Sequence, residues 1–245
     1  MVRFQRAGLA AVALIGLGTV AAPAFATQIY VDNVALPYSE TLNLNGYIDG
    51  SSKSESSLAG QIVLTVNDGS TASSNTYTLP VWCVDIFHNI SLGNSGDYVY
   101  NEGPLSNDHS NNPTTLSSTQ ITDIADLATY GDHLMQTSPS NQTSAEVQAA
   151  IWTVEYNANQ LAPALQSDCT SGGPNCLYIG GGSFNSSDIN TLIGNAVAYG
   201  GSATQLLSIS GAQAEVFDAS VPEPASFGLL GAGLFGLAFA RRRKA

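Results

Sequence analysis

The chain has 245 residues, with 7 Lys and Arg against 19 Asp and Glu and a formal net charge of −12. Six of the seven basic residues (Arg3, Arg6, Arg241, Arg242, Arg243 and Lys244) lie in the two terminal segments, so Lys53 is the one positive charge of the body. Such a body excludes recognition of nucleic acid or of an anionic membrane, which need the opposite sign, and suits solubility outside the cell.

Residues 1–26 carry Arg3 and Arg6, a long apolar run and then Ala24-Phe25-Ala26. A charged start, an apolar stretch and an A-x-A site predict a secretory signal peptide. The body follows as residues 27–220, enough for one domain or two small ones packed together. Residues 28–36 predict a strand. Residues 41–48 alternate Leu42, Leu44, Gly46 and Ile48 on one face and predict another. Residues 49–57 read as a Ser-rich loop that holds Lys53. Residues 58–66 place Ile62, Leu64 and Val66 on one face of a strand. Asn67-Asp68-Gly69-Ser70 is a turn signal, followed by polar loop to Asn75.

Residues 76–87 predict a strand broken at Pro80, because proline has no ladder N–H. Alternation puts Trp82, Val84 and Ile86 on an apolar face. Cys83, Asp85 and Phe87 fall on the other, away from the core. Residues 93–115 predict a long surface connection with a short aromatic piece at Tyr98-Val99-Tyr100.

Helical spacing then takes over. Residues 118–130 carry Ile121, Ile124, Leu127 and Ala128, with Gly131 as the stop. Residues 143–156 open on Thr143-Ser144-Ala145-Glu146, which fits a capping box. That helix has an apolar stripe of Val147, Ala150, Ile151 and Val154. Residues 186–199 predict a third helix ended by Gly200. Residues 204–209 and 214–217 predict short final strands, the first of which could return to the N-terminal sheet. Strands at both ends with helices between predict an α+β body: an antiparallel sheet or barrel with a small helical subdomain.

The three cysteines divide unequally. Export places them where disulfides persist. Cys169 and Cys176 are close in sequence and predict a local disulfide, which leaves Cys83 unpaired. On the helix, Ala145, Gln148, Trp152 and Glu155 stack along one side. Gln148 borders the apolar stripe, where a helix would meet a sheet. A thiol beside a buried carboxamide can form an internal thioester with loss of ammonia, an acyl group primed for an amine or hydroxyl. Scarcity of lysine suits a domain that stores such a group. The plain alternative makes Cys83 a small buried hydrophobe, Gln148 a solvated helix residue and Trp152 a core aromatic. A cysteine hydrolase would pair Cys83 with His88, His109 or His133, but no oxyanion loop is visible. A metal site from Asp85, His88 and Asp97 is similarly weak, and no phosphate loop is found. No cofactor, metal or enzymatic turnover is expected.

Two resemblances add to this. The segment 221–245 has Pro222-Glu223-Pro224, a Gly-rich apolar run from Ala225 to Ala240, and the terminal Arg cluster. It resembles the PEP-CTERM sorting signal of Gram-negative bacteria. The resemblance implies a hydrophobic sorting helix held transiently in the inner membrane. It also implies an exosortase-type processing enzyme as partner, cleavage near Pro222-Glu223-Pro224, and delivery to the cell surface or an extracellular matrix. Separately, Trp82-Cys83-Val84-Asp85 and Val147-Gln148-Ala149-Ala150-Ile151-Trp152 resemble the thioester domains of bacterial surface adhesins. There, an aromatic-Cys-apolar-acidic segment supplies the thiol, and a later helical Gln with an apolar-Trp pair supplies the acyl group. The chain departs from that pattern in having Val147 where Thr is common and Trp82 where Leu or smaller aromatics are common. The resemblance implies a sheet or barrel packed with a helical subdomain. It makes Cys83 and Gln148 the bond partners; Trp152 is expected to support them, and Asp85, on the strand face of Cys83, to orient the thiol or assist proton transfer. The implied target is a surface or matrix nucleophile, an amine or a hydroxyl. The alternative function is a non-covalent structural or glycan-binding matrix protein, in which Tyr98, Tyr100, Tyr178 and Phe184 stack on a polysaccharide.

Overall fold

The computed structural model describes residues 28–48, 50–67, 76–93, 98–105, 116–157, 169, 175–201, 204–209 and 213–218. The expected signal peptide, the turn after Asn67, Asp97, His109 and the sorting segment lie outside these residues. Among the described residues no helix is long and apolar enough to cross a membrane.

Six strands close into an antiparallel barrel: β1 (Gln28–Ala35), β4 (Ile62–Asn67), β5 (Thr76–Cys83), β9 (Glu215–Asp218), β8 (Thr204–Ser208) and β6 (Tyr98–Pro104), in that order around the ring. A second sheet has the order β3 (Ser51–Ala59), β2 (Glu40–Ile48), β7 (Cys176–Gly181). The helices α1 (Ser118–Thr137), α2 (Asn141–Tyr156) and α3 (Ser186–Tyr199) pack on one another. The predicted α+β class, with a barrel and a helical subdomain, is what the chain adopts. The period-two faces are as expected, since Leu42, Leu44 and Ile48 on β2 and Ile62, Leu64 and Val66 on β4 are all buried. The strand predicted over 58–66, however, begins only at Ile62, because Leu58 and Ala59 end β3. The strand β8 does return to the N-terminal strands, through β6, which pairs with β1.

α2 lies at the centre. It touches α1, α3, the second sheet through β2, β3 and β7, and the barrel through β5. Consequently Val147, Gln148, Ala149, Ala150, Ile151, Trp152, Thr153, Val154, Glu155 and Tyr156 are all buried. A helix buried on every side needs its polar groups matched by the rest of the fold.

Several expectations are corrected. The Ser-rich segment is not a loop but strand β3, paired residue for residue with β2 from Glu40↔Ala59 to Ile48↔Ser51. It is an edge strand with exposed side chains, so it lacks the alternation that marks a half-buried strand. Lys53 therefore sits on a strand, and its Nζ donates to the carbonyl of Ile86 at 2.6 Å. Pro80 does not break β5, which runs through it opposite Val63 to Cys83. The stretch after Gly93 contains β6, a barrel strand, and the strand β7 was not anticipated at all.

Gly131 does not stop α1, which continues to Thr137. A Cβ there would meet Val147 Cγ1 at 2.6 Å and Trp82 Cζ2 at 2.8 Å, so glycine allows α1, α2 and β5 to approach closely. Gly200 does end α3, with φ 77 and its N–H bonded to Ala196, a conformation that suits glycine. The capping box expected at Thr143 is absent, because α2 begins earlier and Ser140 caps it by accepting from the Thr143 N–H at 3.0 Å. Reciprocal boxes occur instead at Ser117 with Gln120 and at Asn185 with Asp188. The disulfide Cys169–Cys176 is formed, and Cys83 is the free cysteine among the described residues.

Candidate functional site

Cys83 ends β5. Its neighbours Val81, Trp82, Val84, Asp85 and Ile86 are all buried, whichever face alternation assigns them. Cys83 itself is 2% exposed, so the expectation that its thiol points away from the core is corrected. The face it uses is covered by α2 and by the chain around Gln213.

Gln148 is brought from α2 directly onto this residue. Its Oε1 accepts the Cys83 N–H at 3.0 Å, and its Nε2 donates to the Cys83 carbonyl at 2.8 Å. This two-way pairing closes a separation of 65 residues and fixes the orientation of the amide. Gln148 is 1% exposed, so it is not a solvated helix residue. Truncating a buried pair of this kind leaves a backbone donor and acceptor without partners, which costs about 1–3 kcal/mol for each.

The sulfur has three polar contacts. Gln213 Nε2 lies 2.7 Å from Sγ, and the Asp85 N–H donates to it at 3.3 Å. As a thiol it donates to the Asp85 carbonyl at 3.1 Å. The carboxylate of Asp85 is engaged elsewhere. Oδ1 accepts the Phe87 N–H and Oδ2 contacts His88 Nδ1, both at 2.8 Å. Asp85 therefore reaches the sulfur through its main chain. Neither His88, held by Asp85, nor His133, stacked with Tyr130 and Tyr199, contacts the sulfur. The described residues hold no cluster of three or more His, Cys, Asp or Glu arranged for a metal.

The electrostatics favour a neutral thiol. Burial pushes the Cys83 thiol well above its ordinary value, and the nearby Glu215, Asp85 and Glu155 carboxyls add to the effect. Glu215 faces Cys83 across the β5–β9 ladder. Burial pushes its own carboxyl up as well, with Asp85 adding to the shift, and neither of its carboxyl oxygens has a hydrogen-bond partner among the described residues.

A cavity of about 230 Å³ opens onto this cluster, lined by Cys83, Gln148, Trp152 and Gln213 on its inner side and by residues such as Leu58 and Leu92 nearer the surface. Leu58 and Leu92 are exposed. The Trp152 ring is buried against the cavity, and its indole N–H has no partner among the described residues. Trp82, next to Cys83, instead donates to Asp132 at 2.9 Å, as does Gln61 at 2.7 Å.

Sequence reasoning brought Cys83, Gln148 and Trp152 to one place. It missed Gln213 and Glu215. Gln213 belongs to a short connection with no motif. Glu215 did leave a signal, an acidic residue between Ala214 and Val216 in the strand predicted over 214–217. The aromatic residues considered for glycans do not form one platform: Tyr100 is fully buried, and its hydroxyl donates to the Gln213 carbonyl at 3.1 Å, while Tyr98 and Phe184 pack against the core.

Compared with known families, residues 220–244 match the PEP-CTERM protein-sorting motif. The match supports an exported chain that an exosortase sorts across the membrane to the cell surface. No curated protein and no solved structure matches the chain.

Proposed function

We propose that the body of this exported protein is a covalent attachment module, whose reactive bond is a thioester between Cys83 Sγ and the side-chain carbonyl carbon of Gln148. The observation that carries it is the two-way hydrogen bonding of the Gln148 carboxamide to the Cys83 main chain, beside a buried thiol and open to a cavity. The Cys83 N–H polarises the Gln148 carbonyl and aims a donor at the oxygen where negative charge develops on attack. The thiol adds to the carbonyl carbon, the carbon–nitrogen bond breaks, and ammonia leaves with the thiol proton. Later an amine or hydroxyl of a surface or matrix molecule adds to the same carbon. The carbon–sulfur bond breaks, and the nucleophile's proton ends on sulfur. One bond forms per molecule, so the chemistry is stoichiometric rather than catalytic.

The scarcity of amines in the body supports this function. Lys53, the one lysine of the body, is engaged with the Ile86 carbonyl, with Glu55 at 3.0 Å and with the Phe87 ring. Its amine is held by three partners near the site, and so is kept from the acyl carbon.

Intact mass of the protein as recovered from the cell tests the proposal. After allowance for the disulfide, it should be lighter than its sequence by one ammonia. The deficit should vanish in Cys83→Ala and Gln148→Ala, and methylamine should add once and free one thiol. A protein of full mass, with a titratable Cys83 and no amine adduct, would falsify the thioester. Reversible target binding that survives Cys83→Ala would point to the non-covalent structural or glycan-binding function.

A further inference from the structure

Two carboxamides meet at Cys83, and they do different things. Gln148 binds the main chain of Cys83, whereas Gln213 binds its sulfur. We infer that Gln213 is the group that holds the sulfur as it leaves: with the Asp85 N–H it forms a two-donor cradle for the Cys83 thiolate released when a nucleophile opens the bond. This rests on the thioester proposed above.

The need for such a cradle follows from the surroundings. When the carbon–sulfur bond breaks, its electron pair goes to Sγ before the nucleophile's proton arrives. The ionisable neighbours that act on the sulfur are acids, namely Glu215, Asp85 and Glu155. Among the described residues no cation contacts it. His88 is bonded to the Asp85 carboxylate, and Lys53 to the Ile86 carbonyl. A buried anion without a partner is expensive, so neutral N–H donors must do the work. Two reach the sulfur, Gln213 Nε2 at 2.7 Å and the Asp85 N–H at 3.3 Å.

The orientation of Gln213 is set independently of the sulfur. Its Nε2 also donates to the Asp85 carbonyl at 3.3 Å, which turns the amino side of the amide, not the oxygen, toward Sγ. Its main chain is pinned on two sides. The Gln213 carbonyl accepts the Tyr100 hydroxyl, and the adjoining Ala214 carbonyl accepts the Val84 N–H at 3.0 Å. Donors fixed in this way need no rearrangement when charge appears, which is the condition under which they accelerate a step.

The test compares wild type with Gln213→Leu and Gln213→Glu, using methylamine as the nucleophile and peptide mapping of the product. The cradle predicts that the ammonia deficit persists in Gln213→Leu, because Gln148 supplies the acyl group, and that the methyl tag maps to residue 148. It also predicts that opening slows by roughly tenfold or more in Gln213→Leu, as for loss of one donor to a developing anion, and further in Gln213→Glu. Alkylation of the freed thiol by iodoacetamide at fixed pH should slow in parallel, because the thiolate fraction falls. If Gln213→Leu does not fold, Gln213→Asn, which keeps the amide but shortens its reach, takes its place. A tag on residue 213 would overturn the inference and make Gln213 the acyl donor. Opening and alkylation rates equal to wild type would also overturn it. Should wild type carry no thioester, Cys83 is already a free thiol. The alkylation comparison then decides the role of Gln213 by itself, separately from the failure of the attachment chemistry.

Discussion

In the outer sheet, β3 turns Ser54 and Ser56 to solvent, where their hydroxyls donate to Asn45 and Asn43 directly across the β2 ladder at 3.0 and 2.8 Å. At the seam where β5 meets α2 and its neighbours, the polar side chains Gln148, Gln213, Asp132 and Gln61 are buried instead. Each is matched to a particular main-chain or side-chain group from a distant segment. The outer sheet satisfies its polar groups locally and has water as an alternative partner. The seam has no such alternative, so a lost partner there carries the full cost of desolvation. The same residue types are thus replaceable in one region and decisive in the other.

Mutation should expose that difference, and the largest effect belongs to Trp82. Trp82 is fully buried, packs at Gly131 and donates to Asp132. Trp82→Ala should cost about 3–5 kcal/mol from the cavity it leaves, read as a shift in the urea midpoint. A loss below about 1 kcal/mol would mean that the seam tolerates change as the outer sheet does, and would break the comparison.

Next comes Asp132. Burial pushes its carboxyl from 3.8 up to about 7, against the lowering effect of the Trp82 and Gln61 donors and with Asp218 adding to the rise. Between those two values the folded protein keeps a proton that the unfolded chain has lost. The stabilisation is therefore complete below the unfolded value and is lost as pH rises through the folded one. Wild type should lose on the order of 2–3 kcal/mol more than Asp132→Asn between about pH 4 and pH 8. Asparagine still accepts both bonds, so it isolates the titration. Parallel stability–pH curves for the two proteins would count against a raised Asp132.

Smallest is Ser56→Ala on β3, which removes one exposed cross-strand bond. It should change stability by no more than about 0.5 kcal/mol. A larger loss in thermal unfolding would show that the edge hairpin carries more of the fold than its exposure suggests.

The amino-acid order by itself determined the class of fold, most of the strands of the barrel, the three helices, the local disulfide and the odd cysteine. Each of these follows from periodicity, capping or spacing within a few residues. It also pointed from Cys83 to Gln148, because a helix with a polar residue beside its apolar stripe tends to bring that residue to a packed interface. The tertiary structure alone decided that β3 is a strand, since pairing with β2, not burial, makes it one. It alone turned Gly131 from a helix stop into a contact point, because the test is what a Cβ would strike on α2 and β5. And it alone supplied Gln213 and Glu215, which reach Cys83 from 130 residues away and across the ladder from β9. Barrel closure makes them neighbours, and no local pattern in the chain encodes which distant main-chain group a buried side chain will meet.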